Sequence, residues 1–535
     1  MIRAAVAALL LALIGTARAA SPPAVEAEHG MVVSSERRAS EVGVQIFKAG
    51  GNAIDAAVAV GYALAVLDPC CGNIGGGGFM VIHLADGRDS FINFREKAPA
   101  AATAGMYLDS AGNPVAALSR HGWRAAGVPG TVMGFDRALG EYGKLPRAAL
   151  LAPAIAFARD GYVLSRANTD ILEPKTGLFR ADPEAAKIFL RPDGSAMRPG
   201  DRLVQRDLAT TLEAISKEGP DAFYKGPIAA AVETASRAGG GILTRRDFAG
   251  YTATEGPPLS CAYRGYVLLS APAPSSGGAT MCEILNVLGG YDMSALGFRS
   301  AKSVRLMVEA MRHAYRDRNA DLGDPAFVHN PLDRLLSEGH AASIRAAIDA
   351  GKTTEDAPAA PHEKAETTHY SVVDKDGNAV AVTYTINGYF GAGVIAPGTG
   401  FFLNNEMDDF TAKPGTPNLY GLVQGAANAI APGKRPLSSM APTIVEKDGK
   451  VLLVLGSPGG SRIITIVLET IMNIVDYGMA PEEAVNAPRL HFQGKPQKLF
   501  YERFGLSADT AALLTGMGYN LVEQRPWGAA ELIEV

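Results

Sequence analysis

The sequence predicts an α+β fold, with layered β-sheets covered by helices. Two observations carry this expectation. Helix-forming stretches dominate the first two thirds of the chain, and from Thr367 onward the pattern changes to short strands joined by turns, with flanking helices. Elements gathered by type along a chain suggest sheets and helices stacked in layers. The composition is that of a globular protein: 535 residues, 47% apolar, 20% charged, net charge −5. The negative balance gives no support to a phosphate-binding or nucleic-acid surface.

Taken in order, the chain opens on a targeting segment. Arg3 precedes a short apolar run, Ala4 to Gly15, and Ala17-Arg18-Ala19 has the small-x-small form of a cleavage site. Residues 1–19 are therefore read as a signal peptide, and the rest as a periplasmic or secreted protein without a membrane span. Ser35 is placed to cap a helix from Glu36 to Lys48. Asn52 is placed to cap a second, Ala53 to Leu67, which is apolar nearly all round and so predicted to be buried. Gly72 to Gly78 forms a turn into the strand Phe79 to Leu84, and Asp86-Gly87 turns into Ser90 to Phe94, ending at Arg95-Glu96-Lys97. The glycine run lacks phosphate-cradle spacing and leads into a strand. Gly351-Lys352-Thr353 resembles the end of a P-loop, but Ala346 stands where its first glycine belongs. Nucleotide binding has no support.

Helices follow at Gly130 to Tyr142, Leu150 to Arg159, Asp207 to Ser216, Pro227 to Ala238 and Ala301 to Ala320, separated by Pro- and Gly-rich turns. Thr367 to Asp374 and Ala379 to Thr385 read as a hairpin across Asp376-Gly377. Phe401 to Asn404 reads as a short strand, and Thr443 to Glu446 pairs with Val451 to Leu455. Ser461 is placed to cap the helix Ile463 to Tyr477. The four cysteines form no disulfide scaffold. A Cys261–Cys282 bridge and a pair of buried thiols both fit. His313 and His369 have no partner at metal-ligand spacing, so no metal site is expected.

Three polar groupings in the last third stand beside glycines or turns. Thr367 opens a strand after a polar segment, and a cut before it would leave an α-amine beside its own hydroxyl, a nucleophile with a built-in base. Thr385 and Asn387 lie on the facing strand. Glu406 and Asp409 form a local anionic site. Ser438-Ser439 supply hydroxyl donors, and Gly459-Gly460 offer two consecutive amides at a strand-to-helix turn, the makings of an oxyanion hole. Each alone reads better as a turn, a solvated loop or the end of a strand. Together they describe acyl transfer from a zwitterionic amino acid derivative.

The segments Thr367 to Asp374, Ala381 to Asn387, Leu403 to Phe410, Pro436 to Met440 and Gly456 to Arg462 resemble the γ-glutamyltransferase (γ-glutamyl transpeptidase) family. So do Gly75 to Gly78, Phe94-Arg95-Glu96 and Gly127 to Gly130, which extends the resemblance over nearly the whole mature chain. It implies the N-terminal-nucleophile hydrolase fold, a four-layer αββα sandwich, made as one precursor that cuts itself between Glu366 and Thr367. Residues 20–366 would become the helix-rich large subunit and residues 367–535 the β-rich small subunit of a heterodimer.

By the same resemblance Thr367 is the nucleophile, Thr385 orients its hydroxyl, and the Gly459 and Gly460 amides hold the oxyanion. Arg95, with Ser438 and Ser439, would take the substrate α-carboxylate. Asn387, Glu406 and Asp409 would take the α-ammonium. Pro414 to Gly425, with Tyr420, resembles a lid over the site. Substrates would be glutathione and other small γ-glutamyl compounds, with water, amino acids or dipeptides as acceptors and no cofactor. The resemblance also implies a further short strand beyond Val535. Two alternatives remain: a cephalosporin (glutaryl) acylase, which Glu406 and Asp409 argue against, and an exported binding protein for γ-glutamyl peptides that never matures.

Overall fold

The computed structural model describes residues 23–351 and 367–535. The expected signal peptide and Glu366 of the expected cleavage bond lie outside the described residues.

Helix Ala53–Leu67 forms over the predicted span with every residue buried. Asn52 Oδ1 accepts from the amides of Ile54 and Asp55, and Asp55 returns a carboxylate oxygen to the Asn52 amide. That reciprocal pair satisfies donors the first helical turn would otherwise leave unpaired. Two other caps differ from expectation. Helix Arg37–Lys48 is capped by Glu36, while Ser35 donates to Asp68 instead. Ser461 caps nothing: it sits inside a 3₁₀ turn, Gly460–Arg462, and Arg462 is the N-cap of helix Ile463–Val475. Phe401 to Asn404 is not a strand and contributes one isolated bridge, Ile395 to Phe402. Asn404 gives its side-chain amide to the carbonyls of Gly75 and Gly127, which ties the segment across the fold.

Two antiparallel sheets form the centre. The first runs in the order Gly30–Ser34, Thr368–Asp374, Ala379–Thr385, Gly77–His83, Asp89–Asn93, Thr254–Gly256. The second runs Glu531–Glu534, Lys450–Gly456, Thr443–Lys447, Tyr266–Ser270, Leu259–Tyr263. Each takes strands from before residue 351 and after residue 367, so neither central sheet belongs to one part of the chain alone. The strands Gly30–Ser34 and Glu531–Glu534 were not legible in the sequence.

Side-chain alternation divides the first sheet between two cores. Met80 and Ile82 join the core beneath helix Ala53–Leu67, whereas Phe79 and Val81 face the second sheet. The second sheet in turn packs on helices Gly277–Leu288 and Ile463–Val475. Cys261 and Cys282 are bridged, tying strand Leu259–Tyr263 to helix Gly277–Leu288, and Cys70 and Cys71 are bridged to each other. No helix among the described residues is long and apolar enough to cross a membrane.

The glycine run answers to close chain-to-chain approach. A Cβ on Gly75 would lie 2.0 Å from the Phe402 carbonyl oxygen, and one on Gly76 would lie 1.9 Å from that of Thr385. Backbone atoms inside a sheet have nowhere to retreat. Gly76→Ala is therefore expected to yield little soluble folded protein, judged by gel filtration and thermal melting. Gly140→Ala, on an exposed helical site with open space around it, is expected to match the parent or gain roughly 0.5–1 kcal/mol. Equal behaviour of the two variants would contradict this account of the run.

Candidate active site

Thr367 stands at the head of strand Thr368–Asp374, which has a hydrogen-bonded neighbour on each side. The ladder pairs Tyr384 with Thr368, and one more step along that register sets Thr385 opposite Thr367. Both line a buried cavity of about 20 Å³, together with Arg95, Asn387, Asp409, Tyr420, Ser438, Ser439 and Gly460. Of the residues singled out in the sequence, Glu406 and Gly459 lie one step back. Glu406 reaches the cavity through Arg95, and Gly459 precedes Gly460.

Each residue has a local reason to be there. The turn at Gly459 and Gly460 has φ of 140° and 58°, values that favour glycine, and it redirects the chain from strand Lys450–Gly456 into the helix beyond. Neither amide donates to an acceptor among the described residues, and Gly460 lines the cavity with Thr367. Thr385 Oγ1 accepts from the Asn387 amide at 2.9 Å. Asn387 itself has a positive φ of 77° and gives its side-chain amide to the Asn405 carbonyl. Tyr420 closes the opposite side, its hydroxyl donating to Asn387 Oδ1.

Arg95 is the electrostatic centre. It is fully buried, with Nη1 at 2.7 Å from Glu406, Nη2 at 2.5 Å from Asp409, and Glu96 at 3.5 Å. Its Nε donates to the Pro436 carbonyl, two residues before Ser438. Burial alone would lower its pKa, but Glu406, Glu96 and Asp409 raise it above the ordinary value. The carboxylates feel the reverse. Burial pushes Glu406 well up despite the pull of Arg95, and pushes Glu96 up to about 7. The arrangement holds one buried guanidinium face to face with three buried carboxyl groups.

His369 is near this site in sequence but outside it in space. It is buried between the sheets, with Nδ1 at 2.8 Å from Thr383 Oγ1 and Nε2 at 3.1 Å from Ser371 Oγ. Burial lowers it to about 3, so it stays neutral. The sequence reading missed two charged groups, Glu96 and Arg318. A signal for Arg318 existed: it continues the apolar stripe Val304, Met307, Met311, Tyr315 of helix Ala301–Asp321 at helical spacing.

A hydroxyl heading a central sheet strand, consecutive glycine amides with no acceptor among the described residues and a buried set of opposed charges fit an enzyme of the N-terminal-nucleophile class. The comparisons make this particular. The sequence matches the Gamma-glutamyltranspeptidase family description over residues 39–535. The chain belongs to that family and is an enzyme of γ-glutamyl transfer and hydrolysis. It is 54% identical over 528 residues to a glutathione hydrolase proenzyme of Pseudomonas sp. (strain A14), covering 98% of this chain and 92% of that one. It is 49% identical to the glutathione hydrolase proenzyme of Escherichia coli (strain K12), covering 100% and 95%. Among solved structures, a cephalosporin acylase from Bacillus halodurans superposes with a TM-score of 0.84 at 27% identity, covering 98% of this chain and 95% of that one.

The raised Glu96 makes a pH prediction. A carboxyl whose folded pKa exceeds its unfolded value keeps its proton longer in the folded state, so its contribution to stability falls as pH rises from the unfolded pKa, about 4.5, toward 7. Glu96→Gln removes that loss. The thermal midpoint of the variant relative to the parent is expected to rise between pH 5 and pH 7, by roughly 3 kcal/mol of stability at most. A constant difference across that window would show that Glu96 ionises normally.

Proposed function

We propose that this chain cuts its own Glu366–Thr367 bond and then uses Thr367 to carry γ-glutamyl groups. In the first stage the Thr367 hydroxyl attacks the Glu366 carbonyl. The peptide C–N bond breaks, the nitrogen takes a proton, and an ester joins Glu366 to Thr367. Water hydrolyses the ester, leaving a Glu366 carboxylate and a threonine with a free α-amine. Residues 20–366 and 367–535 become the two subunits of a heterodimer, held as an αββα sandwich by sheets that already contain strands of both. Residues 1–19 direct export, which makes the protein periplasmic or secreted.

In the second stage the α-amine of Thr367 takes the proton from its hydroxyl, which Thr385 orients, and the oxygen attacks the γ-carbonyl of the donor. The Gly459 and Gly460 amides stabilise the oxyanion. The amine of the leaving group departs with a proton and a γ-glutamyl ester remains. Water releases it as glutamate, or the amine of an amino acid or dipeptide takes it up. Arg95, Ser438 and Ser439 hold the donor α-carboxylate, and Asn387, Glu406 and Asp409 hold its α-ammonium. The cavity of about 20 Å³ has room for about one water molecule, so the donor enters by displacing the lid segment that carries Tyr420. Glutathione is the natural donor class, as the names of the relatives suggest, and the chemistry needs no cofactor.

The observation that carries this reading is Arg95 held between Glu406 and Asp409, a receptor with a cationic and an anionic half. It also separates the reading from that of the glutaryl acylases, because a glutaryl group brings a carboxylate and no ammonium. Release of p-nitroaniline from γ-glutamyl-p-nitroanilide is expected to exceed that from glutaryl-p-nitroanilide by at least about 100-fold in kcat/KM, the value of roughly 3 kcal/mol of buried charge pairing. Equal rates, or a preference for the glutaryl compound, would assign the chain to the acylase reading.

A further inference from the structure

Arg318 is the second guanidinium of the cavity, and neither the reaction course above nor the family match gives it a role. It lies near the C-terminal end of helix Ala301–Asp321 and is 1% exposed. Unlike Arg95 it has no carboxylate within ion-pair distance among the described residues. Its partners are all neutral oxygens. Nε donates to Ser276 Oγ at 3.0 Å, Nη1 to Asn319 Oδ1 at 2.9 Å and Gln424 Oε1 at 2.6 Å, and Nη2 to Ser439 Oγ at 3.3 Å. A buried cation held only by neutral groups keeps most of its desolvation cost. Burial accordingly lowers it to about 10, and Asp409, already taken by Arg95, offsets only part of this.

Those contacts converge on Ser438-Ser439. A hydroxyl has one hydrogen and two lone pairs. Ser439 Oγ spends a lone pair on Arg318 and donates to nothing among the described residues, so its O–H is free to turn into the cavity. Ser438 Oγ is placed alike: it accepts from the Met440 amide and donates to nothing described. Arg318 reaches Ser438 through Ser276, whose hydroxyl accepts from Nε and donates to the Ser438 carbonyl at 2.6 Å. A third arm holds Gln424, at the base of the lid segment, and Gln424 in turn donates to the Asp409 carbonyl at 2.9 Å. Two unspent O–H donors backed by a buried cation that has no carboxylate within ion-pair distance among the described residues make a site complementary to an anion.

We propose that Arg318 is a positioning residue for the α-carboxylate of the γ-glutamyl donor: it holds the Ser439 hydroxyl directly and the Ser438 backbone through Ser276, and it supplies a second positive charge behind the two hydroxyls. The proposal rests on the reading that the donor carboxylate sits at Ser438-Ser439. It divides the labour of the two arginines. Arg95 exchanges its internal carboxylates for the substrate, and Arg318 supplies charge that no internal group neutralises. It also makes the carboxylate, not the ammonium, the end of the head group that this helix reads.

The test compares three p-nitroanilides on the processed enzyme and on Arg318→Met and Arg318→Lys. The γ-glutamyl compound has both charged groups, the glutaryl compound only the carboxylate, and the 4-aminobutyryl compound only the ammonium. Arg318→Met is expected to raise KM for the γ-glutamyl compound about 10- to 100-fold, the value of one or two charge-assisted hydrogen bonds, with kcat changed less than about 3-fold. It is expected to lower kcat/KM for the glutaryl compound by a similar factor and to leave that for the 4-aminobutyryl compound within about 3-fold of the parent. Arg318→Lys keeps the charge without the fork and is expected to fall between. It also serves if Arg318→Met fails to fold. Should neither variant fold, Ser276→Ala is expected to show the same substrate ranking in milder form. A loss of equal size on all three compounds, or no loss on any, would overturn the proposal and leave the γ-glutamyl reading standing. A parent enzyme that releases nothing from the γ-glutamyl compound would overturn that reading itself.

Discussion

The strand that Thr367 heads is hydrogen-bonded on both sides, to Gly30–Ser34 and to Ala379–Thr385, and the rest of the site is built outward from that fact. A residue at the end of an edge strand would be free to fray. Here the Ala379–Thr385 ladder holds the strand from Thr368 and the Gly30–Ser34 ladder holds it from Tyr370, and one further step of the register brings Thr385 opposite Thr367. Both sheets also mix strands from before and after the proposed cut. Breaking one peptide bond then removes no ladder, which is why a chain of this kind can lose its continuity at the active site and keep its fold.

The second constraint is charge. Arg95, Glu96, Glu406 and Asp409 are all buried, and a cluster of this kind is not retained for stability, since apolar residues of like volume fill such space at less cost. On the proposed function its value lies in exchange. Before the donor enters, Arg95 stands 2.5–2.7 Å from Asp409 and Glu406, while neither Glu406 oxygen has a hydrogen bond among the described residues. A zwitterionic head offers each of them a replacement partner, so little desolvation remains to be met on binding. Arg318 stands apart because its neutral oxygen partners leave its charge unspent, and it therefore biases the site toward an added carboxylate.

What was legible in the sequence is what is local. Asn52 and the helix Ala53–Leu67 announce themselves through a cap followed by 15 apolar-rich residues, and the hairpin after Thr367 through β-formers around Asp376-Gly377. The glycine run read as a turn into a strand, but what demands its glycines is backbone from Phe402 and Thr385, hundreds of residues away, which no local pattern contains. The same distance hid strand Gly30–Ser34, whose partner lies more than 300 residues on, and turned Phe401 to Asn404 from an expected strand into a segment held by Asn404. Most site residues were named because motifs place them side by side. Arg318 was not, because a single arginine on a helix usually faces water, and only the stripe it continues argues that this one is inside.

The account's central claim is that Thr367 becomes a chain terminus by its own chemistry. N-terminal sequencing and intact-mass measurement of the purified protein test it most directly. Two fragments are predicted, the smaller beginning at Thr367 and the two masses together exceeding the uncut chain by one water, with Thr367→Ala remaining a single chain. A parent protein that stays whole on prolonged incubation, or a Thr367→Ala variant that is cut at the same bond, would contradict it.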